Sequence, residues 1–209
     1  MKLDSGISPV ISVTVLVGAV IILGLTFMAY SISLSNAQSS EVRLRNILVD
    51  EAAKTVIYIE KEDRNNVNIT IYLGVTRVLP ESARYRLTVF RANEYGTFYG
   101  LVPLSASEVE VYVKPPNINV VQPINQTQAL RTFLVESSGN YVPLSTLGLS
   151  TVNTYTIWYI PPNSTLIKLN IRITSIANFK YVVPVLLADF GSEYYEIARI
   201  YYLPSGWRQ

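Results

Sequence analysis

Chemistry in this chain of 209 residues has to be built from carboxylates, Lys, Arg, Tyr, Ser and Thr, because it holds no Cys and no His. That inventory excludes disulfides, zinc sites made of Cys and His, thiol nucleophiles and every His-dependent triad. Two groups of carboxylates remain. Asp189, Glu193 and Glu196 lie close in sequence and would suit a hard cation, but they lack the alternating D-x-[DN]-x-[DN]-G spacing of a calcium loop and read as a surface turn. Glu60, Glu62 and Asp63 are interleaved with Lys61 and Arg64, the pattern of a solvated turn. No phosphate-binding loop, nucleophile elbow or dinucleotide fingerprint occurs. The expectation is a protein that is not an enzyme, with no catalytic residue, no metal and no cofactor. A net charge of +2 gives no basis for a nucleic-acid partner.

Two further residue classes carry chemistry of another kind. Sequons at Asn68, Asn125 and Asn163 make these three asparagines candidate N-glycosylation sites if the domain is exported. Asn125 and Asn163 fall in expected loops, while Asn68 falls in an expected strand and is the poorer acceptor. The 15 Tyr and 2 Trp are the other class. Tyr95, Tyr99, Trp158, Tyr159, Tyr194, Tyr195, Tyr201 and Tyr202 read either as a sugar- or surface-binding patch or as core and subunit-contact residues. The second reading is preferred, since a tyrosine ring suits burial and its hydroxyl suits a rim.

These groups must be positioned by strands. Runs with a period of two fill the chain from Thr55 onward. Thr55–Glu60 and Val67–Leu73 form an expected hairpin around a polar turn at Lys61–Asn66. Further strands are expected at 85–91, 98–104, 109–113, 130–136, 154–160, 166–173, 181–187 and 194–202, separated by Gly-, Pro- and Asn-rich turns. In 166–173, Lys168, Asn170 and Arg172 oppose Ile167, Leu169, Ile171 and Ile173, the mark of a half-buried antiparallel sheet. The fold class is therefore mainly β, with an antiparallel β-sandwich, immunoglobulin-like as the candidate arrangement, over residues 55–209.

The first part of the chain is different. Mean hydropathy is +0.27 overall, yet Ile7–Leu34 carries essentially all of the excess, leaving the rest near neutral. No charged residue lies between Asp4 and Glu41. The run exceeds the ~20 apolar residues that span a bilayer as helix. Its Val and Ile content favours strand in water, but in lipid an isolated segment must satisfy its own backbone and becomes a helix. Ser8 suits the N-cap and Pro9 the first helical position. Beyond it, Leu44, Ile47, Leu48 and Glu51 fall on one helical face, so the helix is expected to leave the apolar run and become an amphipathic stalk. Lys2 on one side and Arg43, Arg45 and Lys54 on the other leave the orientation undecided by charge.

A short polar leader ending in Gly, followed by Ile-Ser-Pro-Val-Ile and an unbroken apolar run, resembles the N-terminus of archaeal type IV pilins. The resemblance covers about thirty residues. It departs from the family's commoner pattern at Ser5, where a charged residue is more usual, and Ile11 stands where bacterial pilins carry a glutamate. The resemblance implies a leader at 1–6, cut by a prepilin peptidase between Gly6 and Ile7. It implies a helix at 7–54, whose Pro9, Val10, Ile11, Val13, Leu16, Val17, Val20, Ile21, Leu23, Leu25 and Phe27 would pack in a filament core. It also implies an extracellular β domain at 55–209. The expected partners are the membrane before assembly, the peptidase, and copies of the chain itself in a homopolymeric filament at the cell surface.

Two other readings stand beside it. One is a membrane-anchored, pilin-like accessory or envelope-binding module that does not polymerise. The other is a secreted β domain cleaved after Ala37, where Ser35-Asn36-Ala37 has small-x-small spacing, assembling by strand donation.

Overall fold

The computed structural model describes residues 9–77, 84–114, 127–128, 131–147, 154–161 and 164–206. By contact density the chain forms two units, Met1–Ile47 and Leu48–Gln209.

A single helix, α1 (Pro9–Lys54), runs for 46 residues, about 69 Å at 1.5 Å per residue. It has no acidic residue in its first turn, and Lys54 is the basic residue of its last turn. After Pro9 the helix contains neither proline nor any break in its hydrogen bonding, and Thr26 returns its hydroxyl to the Ile22 carbonyl at 2.8 Å. Such satisfaction of its own polar groups is what a β-branched, apolar sequence needs outside water.

The chain passes from helix to strand without a linker: Lys54 is helical and Thr55 opens β1 (Thr55–Arg64). The hairpin with β2 (Asn68–Arg77) is longer and its turn tighter than the sequence suggests. Lys61 to Arg64 continue the strand, and a bulge between Ile59 and Lys61 shifts the register. The charged residues lie along a strand because Lys61 pairs with Asp63 and Asn65 closes the turn, its Oδ1 accepting the Val67 and Asn68 amides at 2.9 and 2.6 Å.

The remaining strands are β3 (Tyr85–Ala92), β4 (Val102–Pro103), β5 (Val109–Lys114), β6 (Thr127–Gln128), β7 (Thr132–Val135), β8 (Tyr141–Pro143), β9 (Thr154–Tyr155), β10 (Trp158–Ile160), β11 (Leu166–Arg172), β12 (Tyr181–Asp189) and β13 (Tyr194–Arg199). They form a β-sandwich. One sheet has the order β1-β2-β11-β5; the other runs β10-β3-β12-β13-β7-β8, with β4 on β3; β6 and β9 pair alone. Among the described residues all strand pairs are antiparallel except β13 with β7, which is parallel. Of the segment 98–104, expected as strand, only Val102–Pro103 joins the ladder. Phe98, Leu101 and Leu104 are buried at a spacing of three, the sign of a looping path over a core. One four-residue helix, α2 (Ile173–Ile176), follows β11.

The core of the first sheet is a grid. Leu73–Ile167–Val113, Ile71–Leu169–Val111 and Ile69–Ile171–Val109 are cross-strand rows, and all nine side chains are 0–2% exposed. The alternation read from 166–173 is what puts them there, since each neighbour points the other way. One row outward, Gly74 pairs with Tyr58. A Cβ there would lie 2.2 Å from the Tyr58 ring, so the bare backbone is what lets the ring lie over the strand.

The central strand β12 is apolar on both faces, from Val182 to Ala188. Its even-numbered residues pair with Leu87 and Val89 on one face, its odd-numbered ones with Phe90 and Thr88 on the other. The second face belongs to another core, of Phe90, Phe98, Leu101, Leu134, Leu144, Ile157, Val183, Val185 and Leu187, roofed in part by the segments that follow β3 and β8.

Candidate functional site

The most extended chemical surface is α1 itself. The large apolar side chains between Val13 and Leu34 are 47–73% exposed, and Phe27 marks the upper end. Val13, Leu16, Val17, Val20, Ile21, Leu23, Leu25 and Phe27, the expected filament-core residues, all lie on this surface. They face every side of the helix, so no single stripe is singled out. The backbone of Pro9, Val10 and Ile11 is helical. Gly6 and Ile7 lie outside the described residues. Gly18 and Gly24 have nothing within 4 Å of where a Cβ would stand, so they leave room for another helix to approach. The helix is long and apolar enough to cross a membrane. A bilayer core of ~30 Å takes about 20 helical residues, so α1 outruns it by more than half of its length.

Where the helix ends, its last turns are fixed to the β domain. Leu48 is 1% exposed. Glu51, next on that face, accepts Arg77 Nη2 at 2.7 Å and the Tyr85 hydroxyl, with side-chain exposures of 13% for Glu51 and 11% for Arg77. Tyr85 also lies 3.2 Å from the Thr55 hydroxyl. Burial, reinforced by the Glu51 carboxylate, pushes the Tyr85 phenol up to about 12. Of the expected stalk face, Leu48 and Glu51 are inward, while Ile47 is 44% exposed.

The two carboxylate groups do not form sites. Asp189 takes Arg86 Nε at 2.8 Å, and that guanidinium also lies 4.9 Å from the Tyr159 ring centre. Glu193 accepts the Tyr195 hydroxyl at 2.7 Å. Glu196 is 4% exposed. It accepts Arg199 Nε and the Val135 amide, both at 2.8 Å, while Arg199 Nη2 donates to the Val135 carbonyl at 3.0 Å. The pair thus supplies β7 with the hydrogen bonds that its short parallel ladder omits. The expected surface turn is here a buried ion pair, because the main chain of β7 gives both charges their remaining partners. In the first hairpin, Asp63 pairs with Lys61 at 2.7 Å, and Glu62 accepts the Tyr202 hydroxyl and the Ser205 amide. Among the described residues no group of three or more acidic side chains is placed to hold a metal ion.

Tyrosine hydroxyls meeting carboxylates recur across the domain: Tyr85–Glu51, Tyr99–Glu136, Tyr112–Glu110, Tyr195–Glu193 and Tyr202–Glu62. Sequence reasoning missed them, since most partners lie far apart along the chain.

Among the sequons, Asn68 opens β2, half-buried, and lines a cleft of ≈ 410 Å³ with Glu110, Asn170 and Arg172. Asn125 and Asn163 lie outside the described residues. The aromatic residues divide. Trp158, Tyr194 and Tyr195 are buried, as the core reading expects, but Tyr95 and Tyr99 are 74% and 70% exposed.

Comparison of the chain with protein-family models, with curated proteins and with solved structures finds no match. What the fold defines is a class: a long N-terminal apolar helix, suited to membrane insertion or secretion, followed by a β domain. That order of elements is pilin-like.

Proposed function

We propose that this chain is the structural subunit of an archaeal type IV pilus-like surface filament. The helix enters the membrane first, the leader is cut between Gly6 and Ile7 by a prepilin peptidase, and α1 then leaves the lipid to pack among copies of itself. The β domain remains at the filament surface. One observation carries this reading: a helix of 46 residues whose apolar side chains, from Val13 to Leu34, are exposed all round. Such a surface needs lipid or like helices around it, and its excess length over a bilayer favours a role beyond anchoring. A helix bundle replaces the lipid environment without leaving backbone groups unsatisfied. The helix also runs unbroken through Ser35–Ala37, which favours this reading over a cut after Ala37.

The test is the amino terminus of the native protein together with its physical state. A mature chain starting at Ile7, recovered in fibres sheared from cells, is the expected result. An intact Met1 sinks the processing step. A chain starting at Gln38 establishes the secreted form. An Ile7 start in protein that stays monomeric in detergent and never enters sheared fibres assigns it to the non-polymerising accessory class.

A further inference from the structure

We propose that the β domain carries a binding site for neutral sugars, in the cleft between the 93–100 loop and the turn after β7. The proposal rests on the cleft alone and does not require the chain to polymerise. The loop is anchored from below. Phe98, 3% exposed, plugs it into the second core, and the Tyr201 hydroxyl holds the Thr97 carbonyl at 3.1 Å. Gly96, at φ 77°, makes the bend that turns the chain back. The opposite wall is equally fixed: the Glu136 amide donates to the Asn140 carbonyl at 2.9 Å and the Gly139 amide to the Glu136 carbonyl at 2.8 Å. Between them lies a cleft of ≈ 460 Å³, within the ~300–1,000 Å³ of small-ligand sites.

Its lining matches one ligand chemistry. Tyr99 stands 70% exposed with its ring edge-on to Phe98, at 5.3 Å and 88°. A core tyrosine would be covered, and this one is held open, with its hydroxyl on Glu136 Oε1 at 3.2 Å. Asn93, Glu94, Thr97, Glu136 and Ser137 line the same cleft. Among the described residues no Lys or Arg lines the cleft, so phosphate and sulfate find no counter-charge from them there. An ammonium group would be served by acceptors alone, and would be held best over the faces of several rings. Here one exposed ring is accompanied by an amide and hydroxyls as well as carboxylates. A sugar ring needs that mixture: an apolar C–H face to lie on an aromatic ring, and hydroxyls that both donate and accept. Tyr95, 74% exposed and 5.0 Å from the Tyr201 ring, adds aromatic surface on the same loop for a second sugar residue.

The full-length chain, held in a detergent without a sugar headgroup, is titrated by calorimetry and ligand-observed NMR. The probes are maltotriose, mannotriose and chitotriose, with tetramethylammonium as the cation probe. The expected result is saturable binding of at least one trisaccharide, weakened about tenfold or more by Tyr99→Ala. Glu136→Gln weakens it similarly, and Tyr99→Phe stays within about threefold because the ring is kept. Circular dichroism melts of each variant separate loss of the site from loss of the fold. Three results overturn the proposal: no saturable binding of any trisaccharide, binding that Tyr99→Ala leaves unchanged while the variant is folded, or tetramethylammonium binding with no saccharide binding.

Discussion

The same residue types, Val, Ile and Leu, meet opposite fates in the two parts of this chain. In the grid of β2, β11 and β5 they are 0–2% exposed and sit in cross-strand rows; between Val13 and Leu34 they are 47–69% exposed. Burial in that grid is written in alternation, one face in and one face out. The helix has no such alternation and no single apolar stripe. Hydrophobicity with a period is meant for the chain's own interior, and hydrophobicity without one is meant for an environment that surrounds the element.

The sharpest way to break that contrast is to damage one side and watch the other. Phe90→Ala removes a fully buried ring from the second core and should cost about 3–5 kcal/mol in denaturant unfolding, with membrane partitioning unchanged. Val20→Arg does the reverse. A charge at the middle of an apolar helix should cost about 2.5–3.5 kcal/mol of insertion, read as protein released by alkaline extraction of membranes, while the melting of the β domain stays as it was. If Val20→Arg also unfolds the β domain, the two regions are not independent and the contrast fails.

A smaller effect tests what pins the β domain. The Tyr85 and Tyr202 phenols are both pushed up to about 12 by burial and by the carboxylates they bond. A phenol whose value is raised on folding stabilises the fold in full below the ordinary value near 10, and that contribution is lost as pH climbs from there toward 12. Stability measured from pH 9 to pH 12 should fall, and Tyr85→Phe with Tyr202→Phe should flatten the fall. At the low end, Gly74→Ala forces the Tyr58 ring off β2 and should cost about 1 kcal/mol. Tyr58→Ala in the same chain should relieve it, as a double-mutant cycle will register.

What the sequence made legible follows the same division. The apolar helix, its passage into strand at Thr55 and the alternation in 166–173 all depend on neighbours within a few residues, and all are present. Features that depend on distant partners were hidden. Lys61–Arg64 read as a turn because its partner strand is needed to see it as a ladder. Segment 98–104 read as strand because its buried positions, three apart, satisfy an apolar run without alternating. Glu196 read as surface because nothing near it in sequence announces the β7 main chain it serves. The run 182–188 did carry a signal, since an unbroken apolar stretch is what a strand covered on both faces requires. For the exposed tyrosines, composition alone favoured burial, and only the loop's anchoring shows Tyr99 held open.

The tyrosine–carboxylate pairs have a consequence for how such a domain matures. Each pin joins groups that leave the ribosome in their final chemical form, and no thiol is present to oxidise or mispair. These contacts therefore lock without an oxidant. The same bonds close under reducing and under oxidising conditions, so the pins do not depend on the redox state of the surroundings.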